Sequence, residues 1–573
     1  MKALFTLLTL LLCLTSVKGQ FVTIQDTSFA SWLQINIPNA MNGNQMDTTH
    51  VDVVSKTQLI IRNSRIVNLE GVQYFDSLKT LDCSNNVYDT IHLYVKNIPS
   101  LPNLLETFIC TSNEIDSLPQ LPATLKILLC GHNLLDSLPN LPNTINFFNC
   151  AYNNLTHLPN LPDSLISFNC SNNNIQNIPA LPNSLDSLNC SFNKLTALPL
   201  LPNSLVIIDC KSNLLTNLPG LPNGLTYLDC GINELVSLPT LPNNLVDLAC
   251  NSNSLTVLPT LPSSLINLNC SQNLLNSLPS LPNALYTLIC SNNLIPNLPA
   301  LPNSLYKINC SSNPLSNGLP TLPNALVLLY CADDLLQNLP SLPSTLVELN
   351  CSINSLTTLP TLPNSLSTLI CHTNLITLLP ALASVNYLDC QSNQLSNLPS
   401  LPSSLNYLNC SSNVLTTLNT LPNNLFLLNC NGNSIDTLPA LPNSLSIFEC
   451  SHNLINTLPI LPNNLSIFNC SFNNIHCFDP FPAISLSITI NNNPFTCLPN
   501  YIQVMDSITL LNSLCMQGNA NGCPPAHGIV GFTYKDANTN CTKDSGDIRL
   551  KNVPLKIYDT SSNLLGTTYS ALN

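Results

Sequence analysis

The sequence predicts a mainly β solenoid built from a coil of about 20 residues, and three observations carry that prediction. The segment Leu201–Gly220 recurs with little change from Leu105 to Cys470. A cysteine, and an asparagine three residues after it, keep the same phase through these copies. Nearly every copy also contains a Leu-Pro-x-Leu-Pro run, the main source of the 46 prolines. Self-similarity at a fixed short period is typical of solenoids, in which each coil packs only against its neighbours.

A short strand is expected in each coil just before the cysteine. In Leu205–Leu215, Ile208 and Cys210 alternate with Ile207 and Asp209, so one side of the segment is apolar and the other is mixed. Alternation of this kind indicates a half-buried strand. Strands of successive coils should then stack in parallel about 4.8 Å apart and form the concave face.

The return path of each coil is expected to be extended. Proline fixes φ and has no N–H for a helix ladder, and leucines three residues apart fit a polyproline-II helix. A segment such as Leu218–Pro222 therefore predicts a polyproline-II or extended convex face and very little helix.

The asparagine column predicts a backbone-capping role. A side-chain amide at the turn inside each coil can satisfy N–H and C=O groups that leave the strand. The column is broken once, at Asp334, after the only long coil, Cys310 to Cys331, which has an extra residue near Asn317 and Gly318. We expect a local weak point there.

The cysteine column runs from Cys110 to Cys470, with an earlier member at Cys83. Each cysteine occupies an inward strand position, where a free thiol behaves as a small apolar residue. We expect mainly reduced packing cysteines. Scattered disulfides are the alternative, since exported proteins often pair their cysteines. A metal-binding stack is disfavoured, because one thiol per coil does not converge on a four-ligand site.

These residues resemble the bacterial LPX-type leucine-rich-repeat family of secreted effector proteins. The similarity covers about residues 105–475, where the pattern LPxLPxSLxxLxCxxNxL repeats nearly verbatim. It implies a leucine-rich-repeat solenoid with a parallel sheet on its concave face. The chain departs from that family in having cysteine where an aliphatic residue is usual.

The solenoid is flanked by segments of different character. Residues 1–19 have the layout of a signal peptide, a basic residue followed by an apolar run. Residues 20–78 should form an N-terminal cap with a short helix and an irregular first repeat. Residues 79–499 are the solenoid of about 20 coils, and residues 500–527 a C-terminal cap and linker. No later apolar run is long enough to span a bilayer.

Four cysteines near the end of the solenoid are disulfide candidates. Cys477 and Cys497 occupy the same phase of successive coils and form the first expected pair. Cys515 and Cys523 bracket an Asn/Gly loop and form the second.

Residues 528–573 alternate as β-strands around an acidic loop. Asp536, Asn538, Asn540, Asp544 and Asp547 place oxygen ligands at the spacing of a Ca²⁺ loop. The segment resembles the SD-repeat B-like modules of bacterial surface proteins, which implies a β-sandwich, incomplete here, that binds Ca²⁺ through these five residues. A polar hairpin loop without metal is the alternative.

Composition and motifs disfavour enzymatic and nucleic-acid-binding functions. The net charge is −13 and only 8% of residues are charged, whereas nucleic-acid-binding proteins usually have a basic face. The eight histidines show no paired-ligand spacing, and no GxSxG, P-loop or dinucleotide fingerprint occurs.

Bulky side chains on the concave face are the candidate contact residues, since such residues are enriched at recognition sites. They are Tyr227, Tyr387, Tyr407, Leu427, Ile447 and Ile467. The last five occupy one phase on five successive coils and should form a row, although strand propensity alone could also explain them. The sequence therefore predicts a non-enzymatic, exported binding or adhesion protein, secreted or on the cell surface, with a protein or glycan partner. A secreted effector scaffold and a purely structural surface protein are the alternatives.

Overall fold

The structure, a computed structural model, describes residues 21–88, 93–484, 486–505, 509–516, 519 and 521–524, and four short strands nearer the C-terminus. The chain divides into two compact units, Met1–Leu315 and Ser316–Asn573. Their boundary falls inside the long coil, where the sequence predicts a weak point. Gly318 in that coil has a φ of +89°, a left-handed conformation that only glycine adopts at no steric cost.

The first unit begins with a small antiparallel sheet and two helices. Its elements are β1 (Phe21–Thr23), α1 (Thr27–Asn36), β2 (Met41–Asn42), β3 (Gln45–Asp47) and α2 (Val51–Val54). Asp26 caps α1, since one carboxylate oxygen accepts a hydrogen bond from the N–H of Phe29 at 2.8 Å. Its other oxygen accepts from the N–H groups of Val67 and Asn68, at 2.6 and 2.9 Å. One carboxylate thus joins the cap helix to the first coil.

Thirteen of the described strands form the parallel sheet of the first unit. They are β4 (Gln58–Ile60), β5 (Thr80–Asp82), β8 (Thr107–Ile109), β9 (Ile127–Leu129), β10 (Phe147–Asn149), β11 (Ser167–Asn169), β12 (Ser187–Asn189), β13 (Ile207–Asp209), β14 (Tyr227–Asp229), β15 (Asp247–Ala249), β16 (Asn267–Asn269), β17 (Thr287–Ile289) and β18 (Lys307–Asn309). The hairpin β6 (Val87–Tyr88) and β7 (Leu93–Tyr94) is inserted between β5 and β8. Each strand of the parallel sheet pairs in register with its sequence neighbours in that sheet.

Nine described strands form the parallel sheet of the second unit. They are β19 (Leu328–Tyr330), β20 (Glu348–Asn350), β21 (Thr368–Ile370), β22 (Tyr387–Asp389), β23 (Tyr407–Asn409), β24 (Leu427–Asn429), β25 (Ile447–Glu449), β26 (Ile467–Asn469) and β27 (Ser487–Thr489). Two antiparallel pairs follow: β28 (Tyr534–Lys535) with β29 (Ile548–Arg549), and β30 (Pro554–Tyr558) with β31 (Leu564–Tyr569).

Every coil buries the same set of side chains. In the coil of β13, Leu205, Ile208, Cys210 and Leu215 have no exposed surface. Burying one such aliphatic side chain contributes roughly 1.5–3 kcal/mol. Apart from α1 and α2, the only helical structure in the described residues consists of short 3₁₀ turns. The predicted mainly β parallel solenoid with little helix is thereby confirmed.

The asparagine column connects neighbouring coils through their backbones. The Nδ2 of Asn213 donates to the carbonyls of Cys210 in its own coil and Cys190 in the preceding coil, both at 3.1 Å. Its Oδ1 accepts from the N–H of Leu195 at 2.9 Å. Each amide therefore satisfies backbone groups on two coils, as the sequence predicts.

A second ladder of side chains connects the turns that precede the strands. The Oγ1 of Thr144 lies 2.8 and 2.7 Å from the carbonyl oxygens of Ala123 and Leu125 in the preceding coil, which share its one donated proton. Serine repeats this bond in other coils, as at Ser264 and Ser444. The serine of the Leu-Pro-x-Ser-Leu motif thus hydrogen-bonds its coil to the preceding one. The sequence pattern alone did not predict this role.

The second unit's solenoid ends in a cap with two disulfides, in a pairing that differs from the expected one. Cys477 bonds Cys523 and Cys497 bonds Cys515, whereas the sequence paired Cys477 with Cys497 and Cys515 with Cys523. The prediction failed because the chain closes one more loop after Cys497 and returns beside it in the same direction, with a parallel bridge between Leu498 and Leu514. The N–H of Leu498 donates to Ser513, and that of Cys515 to Leu498, at 2.8 and 2.9 Å. These bonds place Cys515 beside Cys497.

The described helices are all too short to cross a lipid bilayer.

Candidate binding surface on the second unit

The predicted row of bulky residues lies on five adjacent strands of the second unit, β22 to β26. The backbone register aligns its members directly, one per strand: Tyr387, Tyr407, Leu427, Ile447 and Ile467. All five side chains are half-buried, whereas the next residue on each strand is buried in the core. This alternation follows from the pleat, which sends successive side chains to opposite faces. We call these five residues the apolar row.

The two tyrosines of the apolar row stack on each other. Their ring centroids are 4.0 Å apart and their planes differ by 11°. Burial, and then the hydrogen bond with Tyr387, raise the pKa of Tyr407 far above its ordinary value. A tyrosine phenol is protonated at neutral pH in any case, and both factors hold Tyr407 in that neutral form well into the alkaline range.

Two exposed apolar side chains lie beside the row, at the position that precedes it in a coil. Phe426, next to Leu427, is 53% exposed, and Leu486, next to Ser487 on β27, is 70% exposed. The coils between them have Ser446 and Ser466 at this position, so Phe426 alone extends the apolar row sideways, and exposed apolar patches mark recognition sites.

The polar residues on the other side of the row have a structural role that the sequence analysis missed. Asn429 accepts a hydrogen bond from the N–H of Asn431 at 3.1 Å, and Asp389 accepts one from Gln391 at 3.2 Å. Asp389 is only 8% exposed, and burial raises the pKa of its carboxyl group. These two side chains cap the backbone where β22 and β24 end, whereas Glu449, in the same column on β25, accepts a hydrogen bond from the side-chain amide of Asn431 at 3.2 Å instead. Asp389 and Asn429 are therefore less available to a ligand than their sequence position suggests.

Tyr227 lies apart from the apolar row, on β14 of the first unit. It aligns with Ile207 on one neighbouring strand and Asp247 on the other, and it is 37% exposed. The nearby acids Asp209 and Asp229 are both close to the ammonium group of Lys211, at 3.8 and 3.5 Å. The structure thus brings five of the six contact candidates together and leaves Tyr227 in a mixed, charged setting.

The proposed calcium ligands Asp536, Asn538, Asn540, Asp544 and Asp547 lie outside the residues that the structure describes. Within the described chain, one group of potential ligand atoms converges, the sulfurs of Cys497, Cys515 and Cys523, which all lie within 4.8 Å of one another. All three belong to the two disulfides, so their closeness reflects the packing of the C-terminal cap.

The cysteine column consists of thiols that are completely buried. Burial raises the pKa of these thiols, to about 12 for Cys130, Cys270, Cys351 and Cys410. The thiolate is the reactive form of cysteine, and it is suppressed here. The packing role of these cysteines follows from their burial, and their reduced state stays a prediction that thiol titration in denaturant tests.

Solved structures of other proteins are similar to this chain. YopM from Yersinia enterocolitica WA-314 is 36% identical with a TM-score of 0.68, and the match covers 70% of this chain and 90% of that chain. The functional domain of InlJ from Listeria monocytogenes, described as including a cysteine ladder, is 24% identical with a TM-score of 0.49, over 59% and 77%. YopM from Yersinia pestis, described as a leucine-rich effector protein, is 37% identical with a TM-score of 0.44, over 55% and 85%.

No protein-family model matches the sequence, and no curated protein matches it.

Proposed function

The chain belongs to the leucine-rich-repeat proteins, and on that premise we propose that it is an exported bacterial binding or adhesion protein. Its apolar row would hold a protein or glycan partner without enzymatic chemistry. The observation that carries this proposal is the in-register alignment of five half-buried bulky side chains on adjacent strands. Strand propensity accounts for bulky residues one at a time. It does not account for the exposed Phe426 at their flank.

Export is supported by the cap of the second unit. Disulfides persist in oxidising compartments and are rare in the cytosol. Two of them close the described C-terminal cap, and the first residues of the sequence have the layout of a signal peptide. We place the protein outside the cell or on its surface.

A triple variant tests the contact role of the row. Tyr387→Ser, Tyr407→Ser and Ile447→Ser together should weaken binding at least about tenfold, because buried aromatic and aliphatic anchors dominate interface energies. The full chain is screened against arrayed glycans and displayed random peptides, and the affinity of each binder is measured for wild type and variant.

The matched control is Tyr286→Ser with Tyr306→Ser. These tyrosines also stack, with centroids 4.9 Å apart, but they lie in the first unit outside the apolar row. The control should bind like wild type. Unchanged binding of every ligand by the triple variant would contradict the proposal and favour a purely structural surface role.

A secreted effector scaffold is the second candidate function. The 36% identity to YopM over 90% of that protein favours it. An effector that works inside a host cell meets a reducing cytosol, in which the two cap disulfides would be reduced. Retention of full binding after reduction of the disulfides would favour the effector function. Loss of binding on reduction would favour the extracellular one.

Calcium binding by the C-terminal loop is a further part of the proposal. Titration calorimetry of the full chain with Ca²⁺ should show binding that Asp536→Asn with Asp547→Asn removes, since hard cations prefer carboxylate oxygens. Asp559→Asn, outside the loop, is the control and should keep the binding. A full chain that gives no heat of Ca²⁺ binding would show the loop to be a polar hairpin without metal.

A further inference from the structure

The solenoid of the second unit contains acidic residues but no lysine or arginine. From Ser316 to Pro524 the sequence contains no lysine and no arginine. The same span contains eight acidic residues: Asp333, Asp334, Glu348, Asp389, Asp436, Glu449, Asp479 and Asp506. No cationic side chain of this span, histidine apart, can neutralise them. The potential around this unit's strand face is therefore negative, and a partner of positive charge is favoured.

Two of these acids border the apolar row. Glu348 aligns with Thr368, and Thr368 with Tyr387, so Glu348 lies in the column of the row, two strands before its first member. Glu449 lies on β25 next to the row, two residues after Ile447 and on the same side of the sheet. Both side chains are half-buried. Asp334 and Asp389, in contrast, are buried.

The distance between Glu348 and Glu449 sets the length of a polypeptide that could contact both. Five strand steps separate β20 from β25, which at about 4.8 Å per step is roughly 24 Å. An extended polypeptide rises about 3.3 Å per residue, so about seven residues span this separation. Between the two acids the face offers Tyr387, Tyr407 and Leu427, which suit apolar side chains.

We propose that this face, from Glu348 to Ile467, binds an extended polypeptide segment with apolar residues between two lysine or arginine residues. The two cationic residues are about six or eight positions apart, an even number that points both side chains to the same side of the segment. The cationic side chains pair with Glu348 and Glu449, and the apolar ones cover the row. The inference rests on the proposed function and names its partner class. A nucleic acid is repelled by the same charge, and a neutral glycan gains nothing from the two carboxylates.

The test is a selection of displayed random peptides on the immobilised full chain, followed by affinity measurements at low and high salt. Selected peptides should be enriched in lysine and arginine, and their binding should weaken as salt screens the charges. Glu348→Gln with Glu449→Gln should weaken binding roughly two- to thirtyfold, because exposed ion pairs contribute about 0.2–1 kcal/mol each. Glutamine keeps the shape of the side chain, so the fold should be unaffected.

The matched control is Asp436→Asn with Asp479→Asn. Both of these acids are exposed and lie off the apolar row, and the control removes the same charge. Its affinity should stay within about twofold of wild type, because long-range screened charges contribute little.

Three outcomes would overturn the inference: no enriched peptides, enriched peptides without excess cationic residues, or an unchanged affinity in the glutamine variant. The triple variant of the apolar row separates the two proposals. If neutral ligands bind and that variant loses them, the binding function stands and the basic partner is wrong. If that variant keeps all binding, both are wrong.

Discussion

At the scale of single residues, the turn after each strand places one side chain in a left-handed conformation. Ser212 and Ser252 occupy this position with φ near +53°, and small polar residues tolerate it best. Other coils have bulky residues there. Tyr152, Phe192 and Ile232 all have φ between +53° and +56° and are about half exposed. Branched and aromatic side chains at positive φ are disfavoured, by about 1–2 kcal/mol for an ordinary L-residue.

Replacing Ile232 with asparagine should therefore stabilise the first unit. We expect Ile232→Asn to raise the free energy of unfolding by about 1 kcal/mol, because asparagine adopts the left-handed region more readily. Denaturant unfolding followed by circular dichroism measures the change. Val236→Asn is the control, since Val236 is exposed to a similar extent but does not have a positive φ. An equal gain in the control would refute the backbone explanation.

At this scale the sequence predicts the role of a residue correctly where the same residue type recurs at one position of successive coils. Leucine, cysteine and asparagine repeat at fixed phase, and each fills the role assigned to it. The sequence analysis missed Thr144 and Asn429, which look like ordinary polar surface residues. Their hydrogen bonds run to backbone groups, and some of those groups lie in the preceding coil. Such partners become visible only when the register of the coils is known.

At the scale of elements, two disulfides hold the C-terminal cap together. Its disulfides close loops of 46 and 18 residues. The sequence identified the four cysteines but not their pairing, because the pairing follows from the backbone hydrogen bonds between Leu498 and the segment at 513–515. A pattern of spacings contains no information on where the chain returns beside itself.

The longer loop should contribute more to stability. By the loop-entropy relation, the Cys477–Cys523 bond contributes about 4 kcal/mol and the Cys497–Cys515 bond about 3 kcal/mol. Cys477→Ser with Cys523→Ser should thus lower the unfolding midpoint of the cap more than Cys497→Ser with Cys515→Ser does. Hydrogen exchange of the cap amides measures both variants. The opposite order, or no loss in either variant, would contradict the assigned pairing.

At the scale of the whole molecule, twenty buried thiols recur through both units. Unfolding exposes them to water, where their pKa returns to about 9.0. In the folded chain, burial raises the pKa, to about 12 for Cys270 and Cys351. Above pH 9 the unfolded state therefore loses protons that the folded state keeps, and the equilibrium shifts toward unfolding.

Stability should be complete below pH 9 and fall steeply in the window between pH 9 and pH 12, and the chain should unfold early in that window because many thiols titrate together. Each thiol contributes up to about 1.4 kcal/mol per pH unit in that window. Denaturant unfolding at a series of pH values measures the slope. Cys270→Ala with Cys351→Ala lowers stability at every pH through the cavities it leaves, but its slope should be shallower than that of wild type. Parallel slopes would show that these two thiols do not titrate on unfolding.

The absence of lysine and arginine between Lys307 and Lys535 has a practical consequence for work on this protein. Trypsin cleaves only after lysine and arginine, so the 227 consecutive residues from 308 to 534 contain no cleavage site. A large tryptic fragment will survive digestion whether that half of the chain is folded or unfolded. Its persistence is therefore no measure of folding, and proteases that cut after aromatic or acidic residues must serve instead.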